Sequence, residues 1–323
     1  MTDALLLADW LGSLRTLYAM LPVWIKPLWI VVLYLAVGLP VVLVGTRLLR
    51  RFFPRVGAIV HTTAREATSQ PIYGVLMAIG VIALLLFPFI PYNTLGEDIK
   101  MLKIEGLTLI KLLAVVLAVW TASLSVAEEI EGRTALTLLS KPVARWQFVV
   151  GKFLGVMVPV ALLFVVLGAL FLTTVSYKVK YEARELARPD PSVAECQSEM
   201  VGVLPGLALS FMEACVLGSI AVAVSMRLPL VPNLMICSLL YILGHLLPTV
   251  VDATAGRLEF VSFAATLLSV IVPMLENFSI ETAIGTGKAV SSAYLSMCGI
   301  LTLLYVGIAF VLALLLFEER DLA

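Results

Sequence analysis

The chain has 323 residues, of which 61% are hydrophobic and 14% charged, and its mean hydropathy is +1.05. That composition excludes a soluble globular domain, and several apolar runs longer than about 18 residues make the chain a polytopic helical membrane protein. Twenty-two basic residues offset twenty-two acidic ones, and a net charge of zero argues against a nucleic-acid partner.

Residues 1–27 are mixed. LLLADWLGSLRTLYAMLPVW reads as an interfacial helix, with Trp10, Tyr18 and Trp24 suited to the headgroup level. Asp3 and Asp9, with no basic run ahead of the first apolar stretch, predict the absence of a cleavable leader. Pro27 to Thr46 carries no charge and predicts the first spanning helix. Arg47, Arg50, Arg51, Arg55 and Arg65 follow, opposed only by Glu66, which puts this segment in the cytoplasm and the N-terminus outside. Counted over the whole chain, Lys and Arg divide evenly between the two faces of this topology, so the orientation rests on these arginines and on the resemblance described below.

Thr62 to Gln70 is a polar amphipathic lead-in to a second span at about Ile72 to Pro91. The charged stretch Tyr92 to Gly106 is expected as an outer loop, and Leu107 to Val126 as the return span, with Lys111 near enough to the outer edge to snorkel. Phe148 to Val175 spans outward. Tyr177 to Met200, with Pro189 and Pro191, reads as the longest polar loop, either a solvated connector or a lid over a substrate. Leu204 to Met226 spans inward and carries Glu213 near its middle. A carboxylate there is costly and faces a bundle interior, a cavity or a partner subunit. Two readings of Glu213 stand: a polar contact on a transport route or subunit interface, and a structural carboxyl that is protonated or hydrogen-bonded. Arg227 to Asn233 is a tight inner turn, and Leu234 to Val250 spans outward, with His245 near its outer end read as a packed or interfacial histidine and not a ligand. Phe260 to Leu275 is short for a crossing and is interrupted at Pro273, which fits a re-entrant or interfacial segment better than a span. Glu276 to Lys288 is a polar loop, and Ser292 to Phe317 spans inward to a cytoplasmic C-terminus. The total is an all-α bundle of about seven transmembrane helices.

The stretch between the third and fourth spans is unusual. Ala127 to Lys152 reads AEEIEGRTALTLLSKPVARWQFVVGK. At 100° per residue Ala135, Leu136, Leu138 and Leu139 fall on an arc of about 160°, with Arg133, Thr134, Thr137, Ser140 and Lys141 opposite. Glu129 and Arg133 stand in the favourable order for a helical ion pair, Lys141 suits the C-terminal end of the dipole, and Pro142 stops the helix. A short amphipathic helix lying in the bilayer plane is predicted, with one charged face turned to the water. On physics alone it either anchors a loop or offers a surface to a partner.

Soluble-enzyme chemistry has no foothold. GTGKA at Gly285 to Ala289 fails as a phosphate loop, because Thr282 and Ala289 stand where Gly and Ser or Thr are needed and no strand precedes it. Two histidines, His61 and His245, cannot form HExxH, and no GxSxG elbow or metal cluster exists. No catalytic residue, cofactor or metal is therefore expected. Cys196, Cys215, Cys237 and Cys298 contain no CxxC pair and read as small buried hydrophobes.

EEIEGRTALTLLSKPVARWQFVVGKFLG resembles the cytoplasmic loop of ABC-2 type transporter permeases, whose short signature of an acidic residue, Gly and Thr is matched by Glu131, Gly132 and Thr134. The resemblance is strongest over about 64–152, weaker beyond, and does not reach roughly the first fifty residues. It implies a six-helix core preceded by one additional helix, hence a division into residues 1–60 and 61–323, and a prokaryotic cell membrane as the location. It also implies a coupling helix that docks on a separate ABC ATPase subunit, which binds the ATP, and a second permease copy or a related permease as partner. The contact candidates are Glu128, Glu131, Gly132, Arg133, Thr134 and Arg145. The competing readings are a secondary transporter, which calls for inverted repeats and more midplane charge than Glu213 alone, a membrane-embedded enzyme, which calls for paired catalytic groups, and a scaffold that transports nothing.

Overall fold

The computed structural model describes residues 20–92, 97–131, 144–254, 263, 267–268 and 272–318, with side chains outside 126–131, 252–254 and 318. Among them are helices α1 (Trp29–Phe52), α2 (Pro54–Ser69), α3 (Pro71–Leu86), α4 (Asp98–Glu131), α5 (Arg145–Glu185), α6 (Val193–Ser225), α7 (Leu230–Thr254), the short α8 (Glu281–Gly285) and α9 (Ser292–Glu318), with 3-10 turns at Lys26–Leu28, Phe87–Phe89 and Leu275–Phe278. Among the described residues seven stretches are long and apolar enough to cross a bilayer, and they are the seven expected.

Prolines set the breaks. Pro54 and Pro71 each occupy the first turn of a helix, and Pro71 holds the preceding Gln70 extended at ψ 139°, which separates α2 from α3. Ser192 opens α6 with a capping box: its hydroxyl accepts the Glu195 amide at 3.2 Å and the Glu195 carboxylate accepts the Ser192 amide at 3.0 Å.

The centre of the molecule is the trio α4, α5 and α6, which pack on one another. About 67% of each apolar window is buried, against 6% for α1 and 17% for α7, so those two helices lie on the periphery. α1 is nevertheless fixed, by the Tyr34 hydroxyl donating to the Phe164 carbonyl at 2.9 Å. α2 lies along the start of α5. A Cβ on Gly155 would come within 2.6 Å of Thr63 Cβ, so only glycine admits this approach.

Two expected loops are helices. α4 already begins at Asp98, so Lys100, Lys103 and Glu105 are helical, and the loop reaches no further than Glu97. α5 runs on to Glu185 and α6 begins at Val193, so the loop expected over Tyr177 to Met200 shrinks to 186–192. With 41 residues, α5 is about 60 Å long, roughly twice the hydrocarbon thickness. The charges that suggested a loop are paired across the projecting helix ends. Lys178, fully buried, is 3.2 Å from Asp98 and donates to the Pro88 carbonyl at 3.2 Å. Lys103 pairs with Glu199, and Glu182 accepts the Ile99 amide at 3.1 Å. Trp24 stands edge-on to Tyr177, 5.5 Å between ring centroids, which places the start of the described chain at this same end. Trp10 and Tyr18 lie outside the described residues, as does most of the segment expected to be re-entrant, Phe260 to Leu275. The polar loop expected over Glu276 to Lys288 contains part of a 3-10 turn and α8.

Candidate functional site

At the end of the bundle where α4 stops and α5 starts, the structure describes the two helices and not the segment between them. Gly132, Arg133 and Thr134 lie outside the described residues. Glu128 and Glu131 belong to the last described turn of α4, continuous with the spanning helix, and not to a separate surface helix. Arg145 is exposed on the first turn of α5, where the Gln147 side chain accepts the Ala144 amide at 3.2 Å. One turn further along, Lys152 is fully buried and donates to the Ser125 carbonyl at 2.9 Å, with its ammonium 5.8 Å from the Phe148 ring centroid. A charge held inside protein at this position ties the ends of α4 and α5 together. Nearby, Asn233 at the start of α7 donates to Ser123 Oγ and to the Ala221 carbonyl, both at 2.9 Å, and joins α4, α6 and α7.

The second polar feature lies deep in the bundle. Glu213 on α6 is fully buried. Lys111 on α4, 3% exposed, has its ammonium 3.5 Å from Glu213 Oε2, 2.7 Å from Glu281 Oε1 and 2.8 Å from Ser279 Oγ. His245 on α7 places Nε2 at 3.3 Å from Glu213 Oε1 and 3.1 Å from Ser279 Oγ, and Nδ1 at 2.9 Å from the Tyr241 carbonyl. Neither oxygen of Glu213, nor Glu281 Oε1, has a hydrogen bond of good geometry, so the Lys111 contacts act as charge pairs. Counted from Ser125, Ser225 and Leu230, the three helical members lie about 20 Å along their axes, well inside a hydrocarbon core of about 30 Å.

Lys111 therefore does not snorkel. Its stem turns inward, because two carboxylates and a hydroxyl wait there. His245 is packed, as expected, but also faces the Glu213 carboxylate. For Glu213 itself, both readings stand: it lies in a buried polar cluster, and neither of its oxygens has a hydrogen-bond partner among the described residues. The cluster joins α4, α6, α7 and the 275–285 segment, and sequence reasoning found one of its members. A usable signal was present: Lys111 and Glu213 are oppositely charged groups within apolar spans, and each is too costly to bury without the other.

All four cysteines are free thiols. Gly287, in the GTGKA stretch, sits in a turn with φ 75°, behind α8 and not behind a strand. No group of three or more His, Cys, Asp or Glu arranged for a metal occurs among the described residues.

The family model described as ABC-2 family transporter protein matches residues 71–322. Comparison with curated proteins finds no match.

Proposed function

The chain belongs to the ABC-2 transporter family, and from that premise we propose that it is the membrane subunit of an ABC transporter. It moves its substrate across a prokaryotic cell membrane with ATP hydrolysed on a separate ATPase subunit. The reading is carried by the match over 71–322, which spans six of the seven apolar helices, together with the Glu131, Gly132 and Thr134 signature. The ATPase contact falls at Glu128, Glu131, Gly132, Arg133 and Thr134, with Arg145 beside it. The segment that carries these residues joins α4 to α5, two members of the packed central trio. A push on it is passed to both helices together, since Lys152 bonds one to the other at their shared end. Two such subunits, identical or related, complete the assembly, and closure of the two ATPases rocks the bundles between inward-open and outward-open states. Location of 128–145 on the cytoplasmic side rests on the arginines after α1 and on the resemblance to the family.

The test is co-expression with an ABC ATPase encoded beside this chain's gene. Co-purification and transport-linked ATPase activity are expected for the native chain and lost in Glu131→Lys and Gly132→Pro. Full assembly and coupled activity in both variants would overturn the coupling role.

A further inference from the structure

Glu213 and His245 face each other in a way that leaves one hydrogen missing. His245 Nδ1 lies 2.9 Å from the Tyr241 carbonyl oxygen, which can only accept, so Nδ1 carries a hydrogen. In a neutral imidazole this leaves Nε2 as a bare acceptor. Nε2 is 3.1 Å from Ser279 Oγ and 3.3 Å from Glu213 Oε1. The Ser279 hydroxyl already accepts from Lys111 at 2.8 Å, and its single hydrogen is the one it can give to Nε2. The Glu213 contact then sets lone pair against lone pair, at a carboxylate fully removed from solvent and with no hydrogen bond to either oxygen. One added proton, on Nε2 or on Oε1, removes that opposition, and a small turn of the ring or of the carboxyl group then lines up the 3.3 Å contact for its donation.

Charge leads to the same count. Lys111 contributes one positive charge and Glu213 and Glu281 two negative ones, so a single proton makes the buried group neutral. Among the described residues, the other titratable groups facing the pair are Glu276, which is exposed on the 275–278 turn, and the Tyr241 phenol. Glu276 remains solvated and a neutral phenol adds no charge.

We propose that Glu213 and His245 hold one shared proton inside the bundle, and that this proton fastens the 275–285 segment to α4, α6 and α7. The bound ligand is the proton itself, and the pair titrates as a unit. As pH rises through its midpoint, the proton leaves to solvent, Glu213 and Glu281 repel within the low-dielectric interior, and α8 is released. The fastened form is thus the proton-bound one. The inference stands independently of the ATPase reading, because it rests on the geometry of this cluster alone.

The chain has two histidines, so 15N-imidazole NMR of the protein in nanodiscs resolves His245 once His61→Gln is introduced. Nδ1 is expected to stay protonated throughout, while Nε2 responds at the midpoint of the pair. Glu213→Gln supplies a permanent N–H donor to Nε2 in place of the shared proton, so the titration of His245 is expected to vanish between about pH 5 and 9. The same midpoint in both proteins would overturn the proposal. Release of the segment has its own readout in Cys298, 2% exposed, whose thiol lies 3.5 Å from the Asn277 carbonyl. With the other three cysteines replaced by alanine, maleimide labelling of Cys298 is compared with and without Glu213→Gln at equal pH, which cancels the thiolate fraction. The ratio is expected to start near one at low pH and rise on the order of tenfold as the pair deprotonates. A ratio that stays near one across the range would refute the fastening role.

Discussion

Lys111→Met takes the ammonium out of the buried cluster and keeps most of the stem's volume. In the native bundle this one nitrogen lies 2.7 Å from Glu281 and 3.5 Å from Glu213 and donates to Ser279 at 2.8 Å. Without it, two carboxylates that are 8% and 0% exposed have no fixed positive charge beside them. Breaking a buried pair by removing one partner costs about 3–5 kcal/mol, since the orphaned charge keeps its desolvation penalty. The loss is expected in equilibrium unfolding in mixed SDS and maltoside micelles, followed by far-UV circular dichroism. Lys111→Met combined with Glu281→Gln is expected to be more stable than Lys111→Met alone, because one of the orphaned charges is gone. A cost below about 1 kcal/mol for the single change, or strict additivity in the pair, would refute the reasoning.

Other outcomes follow from the same packing. Gly155→Ala drives a methyl into Thr63 and is expected to cost about 1–3 kcal/mol, whereas Gly74→Ala, with nothing within 4 Å of its added carbon, is expected to be neutral or slightly stabilising in the same assay. Asn233→Leu strips hydrogen bonds from Ser123 and Ala221 and is expected to destabilise by about 1–2 kcal/mol, read from the unfolding midpoint. Lys178→Met leaves Asp98 facing the buried end of α5, so protease cleavage within 97–103 and 186–192 is expected to accelerate while the membrane-embedded part stays intact. In a chain freed of its native cysteines, Asp190→Cys and Ser291→Cys, both at exposed positions, are expected to label from outside intact cells, and Ala144→Cys from inverted vesicles alone.

Apolar run length was enough to place all seven spans, because a helix that crosses hydrocarbon must be apolar over about 20 residues whatever it packs against. Run length failed where it met paired charge. Lys178, Asp98, Lys103 and Glu199 looked like solvated loop residues in the sequence, and they are helical because each finds its partner on another projecting helix. The Ser-x-x-Glu cap of α6, Ser192 and Glu195, lies inside the stretch expected as a polar loop. The buried cluster was only partly legible: Glu213 announced itself by its cost, but Glu281 and Ser279 come from a polar stretch that resembles any outer loop. The proposed coupling residues rest on amphipathic spacing and on the family resemblance, and helices α4 and α5 flank the segment that carries them.

The central claim is that residues 128–145 form a cytoplasmic contact driven by an ATPase on another polypeptide. A cysteine placed at Thr134 measures it most directly, by labelling in inverted vesicles with and without the co-expressed ATPase. The account predicts labelling from the cytoplasmic face alone and protection when the ATPase is bound. Labelling from the outer face, or equal labelling with and without a stably associated ATPase, would contradict it.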